Sequence, residues 1–222
     1  MGYRFSDLTH ACQDDWRAYI EHEFVRGLGD GTLDEGAFRH YLKQDYLFLI
    51  HFARAYALAA YKSRTLADLR QAFDGLKAIV DLELGLHVGY CQEWGISEAD
   101  LVALPEARAT MAYTRYVLDT GNRGDLLDLH VALAPCLVGY GVIADWINAR
   151  PSTLRGSANS YDAWIAMYES EEFQAARRAE EAWLDARLAD VTPARFAELC
   201  TVFRDATRLE IDFWRMGLDR AL

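Results

Sequence analysis

The chain has 222 residues, of which 52% are hydrophobic and 26% are charged, a composition typical of folded globular proteins rather than disordered ones. Its net charge of −11, from 34 acidic and 23 basic residues, argues against a nucleic-acid-binding protein, which needs a basic surface to neutralise phosphates. Apolar residues recur at helical spacing almost throughout and strand signals are scarce, so we predict an all-α fold. The predicted helices cover residues 6–27, 34–62, 66–94, 106–120, 124–149, 160–168, 171–189 and 193–219.

Turn-forming and capping residues mark the predicted helix boundaries. Ser97 with Asp100 resembles a capping box, in which each side chain satisfies a backbone N–H of the other. The other marks are a turn at Gly27, Gly29 and Gly31, helix ends at Gly121, Asn122 and Pro151, and a helix start at Thr192 and Pro193. No stretch resembles a long flexible linker, so we expect a single domain over residues 1–222.

The four cysteines are widely spaced, and no apolar run follows a positively charged N-terminus. We therefore expect neither a disulfide framework nor a secretory signal, and we predict a soluble, cytoplasmic protein. The most apolar stretch, residues 131–147, is shorter than a membrane span and contains Asp145. We interpret Cys12, Cys91 and Cys200 as small buried hydrophobic residues.

An acid is predicted to lie on the apolar face of the last helix. The residues that recur at three- and four-residue steps and share this face are Phe196, Leu199, Cys200, Phe203, Ala206, Thr207, Glu210, Phe213, Trp214 and Gly217. Burying an unpartnered carboxylate costs on the order of several kcal/mol and favours its protonated form. Glu210 is therefore predicted either to have a buried partner or to act as an acid.

A second buried acid is predicted in the helix at 34–62. Its apolar face comprises Phe38, Tyr41, Leu42, Asp45, Phe48, Leu49 and Phe52. Two inward-facing acids on separate helices indicate a polar cluster within an apolar bundle, which is typical of an active site.

The helix at 124–149 is apolar almost all round and is predicted to be central. Pro135 removes one backbone hydrogen bond within it, so we expect a kink immediately before Cys136, with Tyr140 one turn later. Cys136 is thus a candidate nucleophile, which would react as its thiolate. His130, six residues earlier, lies off the face of Cys136, so the sequence does not support a Cys–His pair.

The predicted inner faces are rich in aromatic residues, which have two interpretations. These residues are Tyr113, Tyr140, Trp164, Tyr168, Phe203, Phe213 and Trp214. They can simply form the core, or they can line a pocket that stacks a flat heteroaromatic ring and offers phenol hydrogen bonds.

A metal site is a further alternative, because Glu83 and His87 stand one turn apart at a spacing that can bind metal. A di-iron bundle needs histidine ligands on other helices as well, and no histidine follows His130. We therefore interpret His87 as a hydrogen-bonded surface or core residue rather than a metal ligand.

Several segments together resemble the TenA family, also called thiaminase II or aminopyrimidine aminohydrolase. The similar stretches, in family order across almost the whole chain, are GLGDGTLDEGAFRHYLKQDYLFLIHFARAY, AYTRYVL, ALAPCLVGYG, YDAWIAMYESEEF and LEIDFWRMG. Each motif alone is weak, but the combination of QD, PC followed by tyrosine, W-I-x-x-Y and E-x-x-FW is specific.

The resemblance implies a haem-oxygenase-like helical bundle without a cofactor, and a homotetramer. The implied reaction converts 4-amino-5-aminomethyl-2-methylpyrimidine to hydroxymethylpyrimidine in thiamin salvage, and thiamin itself more slowly. It implies small-molecule partners only, with neither nucleic acid nor membrane.

By position, the resemblance implies that Cys136 is the nucleophile and Glu210 the acid that shuttles protons. It also implies that Asp45 binds the ring nitrogen and the amino group. The implied pocket phenols are Tyr113, Tyr140 and Tyr168. Phe48 stands where some members carry tyrosine, so stacking is kept while a hydroxyl contact is lost.

Two other functions compete with this one. The same bundle can serve as a non-catalytic pyrimidine-binding or regulatory protein, although the acidic charge argues against direct DNA contact. It can also serve as an oxidase, either di-iron or of the cofactorless quinone-synthase type.

Overall fold

A computed structural model describes residues 2–222, apart from the side chain of Leu82. This part of the chain contains helices and no strand, which confirms the predicted all-α class. The α-helices are α1 (Phe5–Ala11), α2 (Gln13–Ile20), α3 (Glu23–Asp30), α4 (Glu35–Lys62), α5 (Leu66–Ala78), α6 (Leu84–Glu93), α7 (Glu98–Val102), α8 (Arg108–Arg123), α9 (Leu126–Asn148), α10 (Asp162–Glu169), α11 (Glu171–Leu188) and α12 (Pro193–Asp219). A π-helical turn at Ile79–Glu83 joins α5 to α6, and a 3₁₀ turn covers Gly156–Ala158.

The chain divides into two compact units. The first comprises residues 2–34 with His130–Trp214, and the second comprises Glu35–Leu129 with Arg215–Leu222. The expectation of one domain over residues 1–222 stays a prediction.

The prediction of one helix over residues 6–27 is wrong, because the structure has three short helices, α1 to α3, in this region. Backbone breaks at Cys12 and Glu21 separate them, and the His22 ring caps α3 by accepting a hydrogen bond from the N–H of Phe24. Gly27 and Gly29 lie inside α3, so the predicted glycine turn is reduced to Gly31, which has a left-handed backbone. Apolar periodicity continues through these breaks, so it does not reveal them.

The start of α8 is tied to α4 by one buried amide. Gln44 accepts hydrogen bonds from the Ala107 N–H and the Thr110 hydroxyl, each at 2.8 Å, and donates to the Pro105 carbonyl at 3.0 Å. The later part of α8 runs through Gly121 to Arg123, so the predicted helix end at Gly121 and Asn122 is wrong.

Packing explains the glycine inside α8. A Cβ at Gly121 would lie 2.7 Å from a methyl of Leu129 and 3.0 Å from one of Leu58, distances too short for carbon atoms in contact. Gly121 is thus kept to let these side chains approach the helix, and it does not end the helix. The capping box of Ser97 and Asp100, in contrast, is confirmed at the start of α7.

Helix α9 continues through Pro135 and is buried along most of its length. Among the described residues, α9 is also the one helix that is long and apolar enough to cross a membrane. This differs from the expectation that its apolar stretch is too short. Its burial inside the protein is what a core helix shows. The kink before Cys136 stays a prediction.

Tyr19 packs closely against α9 beside Cys136. Its hydroxyl donates a hydrogen bond to the carbonyl of Pro135 at 3.1 Å. A Cβ at Gly139 would lie 2.5 Å from the Tyr19 ring, so only glycine permits this approach. The first unit therefore fixes the position of α9 through one phenol and one residue without a side chain.

The predicted apolar face of α12 is confirmed. Its buried members include Leu199, Phe203, Thr207, Glu210, Phe213 and Trp214. Phe196, at the start of the helix, is only half-buried and stacks on Tyr3 at a centroid distance of 3.8 Å.

We expect Gly139→Ala to lower the free energy of unfolding by about 1–3 kcal/mol, because the added methyl group overpacks against Tyr19. Gly89→Ala is the matched control: it adds the same methyl group in α6 where no atom lies within 4 Å, and alanine is the better helix former there. Urea unfolding followed by circular dichroism measures both. Equal stability of the two variants would contradict the close approach of Tyr19.

Candidate active site

Asp45 is buried on α4 and is bound through one carboxylate oxygen. Its Oδ2 accepts a hydrogen bond from the Tyr41 hydroxyl at 3.0 Å and lies 2.7 Å from Nε2 of His87. Tyr41 precedes Asp45 by four residues, so α-helical geometry places the two side chains on the same face. Asp45 is therefore an inward-facing acid, as predicted, and its partners are a phenol and an imidazole.

His87 is fully buried at the start of α6, which confirms the expectation of a hydrogen-bonded residue and places it in the core. Its Nδ1 lies 2.7 Å from the backbone carbonyl of Glu83, the last residue of the π-helical turn. The sequence did not pair His87 with Asp45. Helical spacing places each on an inner face, but it does not say which residues of two helices meet.

Asp45, His87 and Glu83 influence one another's protonation electrostatically. Burial alone would lower the pKa of His87, but the hydrogen bond and charge of Asp45, with smaller contributions from Glu83, raise it above its ordinary value. Burial raises the pKa of the Glu83 carboxyl to about 7, in spite of the opposing effect of His87. The cluster thus combines two acids and a histidine within one unit.

Phe48 and Tyr113 are brought together in the second unit. Both are buried, and their ring centroids lie 4.9 Å apart. Phe52 stacks on Phe48 at a centroid distance of 5.3 Å. Gln44 anchors the start of the helix that carries Tyr113, so the residue before Asp45 helps to set this aromatic contact.

Tyr140 and Tyr168 meet in the first unit within a larger aromatic cluster. Their ring centroids lie 4.9 Å apart, and Trp214 lies 5.4 Å from Tyr140. Trp164 packs 4.5 Å from Tyr168 and 5.9 Å from Tyr140. Rings at these distances and angles gain the favourable edge-to-face and offset contacts of aromatic pairs.

The indole N–H of Trp164 is buried, and among the described residues no acceptor lies within hydrogen-bonding distance. An unsatisfied buried donor costs about 1–3 kcal/mol, and such donors are rare in folded proteins. A small molecule beside Tyr140 and Tyr168 would provide an acceptor. This donor was not predicted from the sequence, because hydrogen-bond satisfaction depends on the packed structure.

Cys136 is the most accessible thiol of the four in the chain. It lies on α9 and is half-buried, while the other three cysteines are buried, and none of the four forms a disulfide. Burial raises the pKa of Cys12 and of Cys91 to about 11, and that of Cys200 above its ordinary value. Those three cysteines are thus buried, as predicted, and their thiols are held in the unreactive form.

Glu210 is buried on α12 with 2% of its surface exposed. It precedes Trp214 by one helical turn, and Trp214 packs on Tyr140 in the same unit. The predicted inward orientation of this acid is therefore confirmed. Asp145, in contrast, is exposed on α9 and pairs with Arg177 at 2.5 Å, so it faces solvent.

His130 is already engaged by other residues. Its Nδ1 lies 2.7 Å from Glu180, and both side chains are 3% exposed. Its ring stacks on Trp183 at 3.9 Å, and the guanidinium of Arg187 lies 3.6 Å from the same indole. This agrees with the sequence interpretation that His130 does not pair with Cys136.

Among residues 2–222, no group of three or more acidic, histidine or cysteine side chains could hold a metal ion. Of the pair with metal-binding spacing, His87 lies 2.7 Å from Asp45 and from the backbone carbonyl of Glu83.

Comparison with known proteins extends these observations. The chain is 35% identical to the aminopyrimidine aminohydrolase of Halalkalibacterium halodurans, over 98% of this chain and 96% of that protein. It is 44% identical to a crystal structure from Silicibacter sp. TM1040 described as a TenA family transcription regulator, with a TM-score of 0.89 over 98% of this chain and 97% of that one.

A structure from Shewanella denitrificans, described as having a haem-oxygenase-like fold, matches with a TM-score of 0.75 over 98% of this chain and 93% of that one. At 14% identity this likeness concerns the fold alone, and it confirms the predicted architecture. Residues 10–220 match the profile of a protein family. The chain belongs to the TENA/THI-4/PQQC family, which confirms the resemblance seen in its motifs.

Proposed function

We propose that this protein is an aminopyrimidine aminohydrolase of thiamin salvage. It hydrolyses 4-amino-5-aminomethyl-2-methylpyrimidine to hydroxymethylpyrimidine and ammonia, and thiamin to hydroxymethylpyrimidine and the thiazole. The observation that carries the proposal is Cys136, a half-buried thiol in no disulfide on the buried helix α9, in a chain 35% identical to a protein of this name.

In this reaction Cys136 is the nucleophile. Its sulfur forms a bond to a ring carbon of the pyrimidine, and the thiol proton passes to a ring nitrogen. The C–N bond at the exocyclic methylene then breaks, and the amine leaves with the electron pair. A covalent adduct of this kind splits one difficult displacement into two easier steps.

Glu210 moves the protons of the same reaction. Its carboxylic acid protonates the departing amine, and the resulting carboxylate takes a proton from the water that adds to the methylene. The ring then expels the sulfur of Cys136 and returns its proton, so the enzyme is regenerated. Burial of Glu210 supports this role, because an apolar surrounding favours the protonated form needed for the first step.

The remaining residues bind the ring. Asp45 accepts a hydrogen bond from the amino group and, once Cys136 has added, one from the protonated ring nitrogen, while Phe48 and Tyr113 offer a stacking surface. Tyr140 and Tyr168 orient the ring and support the thiol. The phenylalanine at position 48 keeps the stacking surface without a hydroxyl, which affects the choice among pyrimidine substrates.

A regulatory function is the second candidate, because a structure 44% identical to this chain is described as a transcription regulator. The net charge of −11 makes direct binding to DNA unfavourable. A regulator of this chemistry would instead bind the pyrimidine and contact another protein.

We expect Cys136→Ala and Glu210→Gln each to lower kcat/KM by about 100-fold or more, because each removes a group that takes part in bond making or proton transfer. The assay incubates the purified protein with aminomethylpyrimidine or thiamin and measures hydroxymethylpyrimidine. Matched controls are Cys200→Ala, a buried thiol, and Glu180→Gln, a buried acid bound to His130.

Circular dichroism decides between the outcomes of this test. Loss of activity with helical content intact supports the catalytic roles, whereas unfolding of Cys136→Ala or Glu210→Gln favours a structural role. Full activity of Cys136→Ala would rule out the covalent mechanism. Tight binding of hydroxymethylpyrimidine by a wild-type protein that turns over neither substrate would favour the regulatory function.

The protein is further proposed to act in the cytoplasm as a homotetramer. Four cysteines that form no disulfide suit a reducing compartment. The second unit exposes an apolar face of α5, which comprises Leu66, Leu69 and Phe73. Contact between subunits would remove this apolar face of α5 from water.

We expect Phe73→Glu to lower the molecular mass in solution below that of a tetramer, because it places a charge in the subunit contact. Phe73 is 58% exposed, and Val102→Glu provides the control, since Val102 is 60% exposed and lies outside this face. Light scattering after size-exclusion chromatography measures the mass. A wild-type monomer, or an unchanged mass of Phe73→Glu, would contradict the proposal.

A further inference from the structure

The two carboxylate oxygens of Asp45 differ in their surroundings. Oδ2 receives both the Tyr41 hydroxyl and Nε2 of His87. Oδ1 makes no hydrogen bond to any of the described residues, although the side chain is only 5% exposed. One oxygen is therefore held by the protein, and the other is available to accept hydrogen bonds from a ligand.

Both nitrogens of the His87 ring face oxygen acceptors. The carbonyl of Glu83 can only accept, so Nδ1 must carry a hydrogen. Asp45 Oδ2, which already accepts from Tyr41, lies 2.7 Å from Nε2. The hydrogen bond and the charge of Asp45 raise the pKa of His87, which favours a ring that donates from both nitrogens and is therefore an imidazolium.

A π-helical turn precedes the helix that carries His87. The π-helical turn at Ile79–Glu83 ends directly before α6, and its last residue supplies the carbonyl bound by His87. Such turns are rare and occur frequently at functional sites, because they rotate the residues that follow relative to a regular helix. The carboxyl of Glu83 also interacts electrostatically with His87 and Asp45.

We propose that His87 is a positioning residue, which holds Asp45 by Oδ2 so that Oδ1 accepts a hydrogen bond from the amino group of the pyrimidine. This inference rests on the proposed function for the identity of the ligand. His87 acts through Asp45 and touches neither the substrate nor the reacting atoms. A fixed, charged acceptor binds an amino group more tightly than a mobile or protonated one.

Two variants of His87 test the proposal. The amide of His87→Gln reaches the position of Nε2 and retains the donor to Asp45, whereas that of His87→Asn reaches only the position of Nδ1. We expect His87→Asn to raise the KM for aminomethylpyrimidine and the Kd for hydroxymethylpyrimidine by about tenfold or more, with a much smaller change in kcat. We expect His87→Gln to recover most of this loss.

The matched control is His130→Gln, which alters the other buried histidine bound to a carboxylate at 2.7 Å. It is expected to cost stability without changing KM or Kd. A KM of folded His87→Asn equal to that of the wild type would overturn the proposal, as would an equal effect of His130→Gln. If His87→Asn does not fold, the wild-type protein provides the test. Undiminished binding of hydroxymethylpyrimidine by wild-type protein whose His87 ring is uncharged would overturn the proposal.

The charge of His87 can be read without any turnover. Nitrogen NMR of the wild-type protein at pH 7 is expected to show both ring nitrogens protonated, and a neutral ring would contradict the arrangement. Calorimetry with hydroxymethylpyrimidine separates this inference from the proposed function. Binding without hydrolysis contradicts the hydrolase alone, whereas hydrolysis that is unaffected by His87→Asn contradicts the positioning role alone; absence of binding contradicts both.

The pH dependence of stability tests the place of Glu83 in the cluster. Its pKa is about 7 in the folded protein and about 4.5 otherwise, so the folded protein binds more protons between these values and loses stability as the pH rises through them. The groups facing Glu83 are His87 and Asp45. His87, whose pKa is raised, contributes stability below its unfolded pKa of about 6.5 and loses it at higher pH.

Glu83→Gln removes the loss of stability that ionisation of Glu83 causes as the pH rises. We expect the melting temperature of Glu83→Gln, relative to the wild type, to rise on the order of 5 °C between pH 4.5 and pH 8. Glu93→Gln, which removes an exposed acid of α6, controls for the change in net charge. A difference that does not change with pH would show that Glu83 lies outside the charged cluster.

Discussion

An ionisable side chain remains inside an apolar helical structure only where another group compensates for its lost hydration. Two buried pairs meet this constraint here, Asp45 with His87 in the second unit and Glu180 with His130 in the first. Each joins residues distant in sequence at 2.7 Å. Because removing one partner would leave the other polar group buried without that contact, each pair restricts how its helices can pack.

The two pairs differ in what surrounds them. The ring of His130 stacks on the indole of Trp183, and the guanidinium of Arg187 lies against the same indole. Protein side chains therefore pack around this pair. Oδ1 of Asp45 has no hydrogen-bond partner among residues 2–222 as described, and a rare π-helical turn lies beside His87. The first arrangement is typical of a structural contact, and the second is typical of a site that binds a ligand.

The inward faces of α4 and α12 could be predicted from the sequence, because apolar residues at three- and four-residue steps record which side of a helix is buried. Asp45 and Glu210 stand within those patterns and are buried as expected. The breaks at Cys12 and Glu21, and the glycine inside α8, could not be predicted. They depend on a ring that caps a backbone N–H and on side chains that occupy the space of a Cβ.

The roles of the candidate residues were predicted through family motifs, whereas their partners were not. Spacing along α6 predicts that Glu83 and His87 lie close together, but the same spacing fits a metal site, a core contact or a partner for an acid elsewhere. The choice depends on where α4 lies, which involves residues 42 positions earlier in the chain. Contacts of this kind follow from packing between helices and leave no periodic signal in either one.

The uneven environment of the four thiols has a practical consequence. Three are shielded, with burial disfavouring their thiolates, and Cys136 alone is half-buried on α9. An alkylating reagent such as iodoacetamide should therefore label the native protein at a single position. A pyrimidine bound there would slow the labelling, so the mass of the intact protein would report occupancy without a chromophore or an engineered tag.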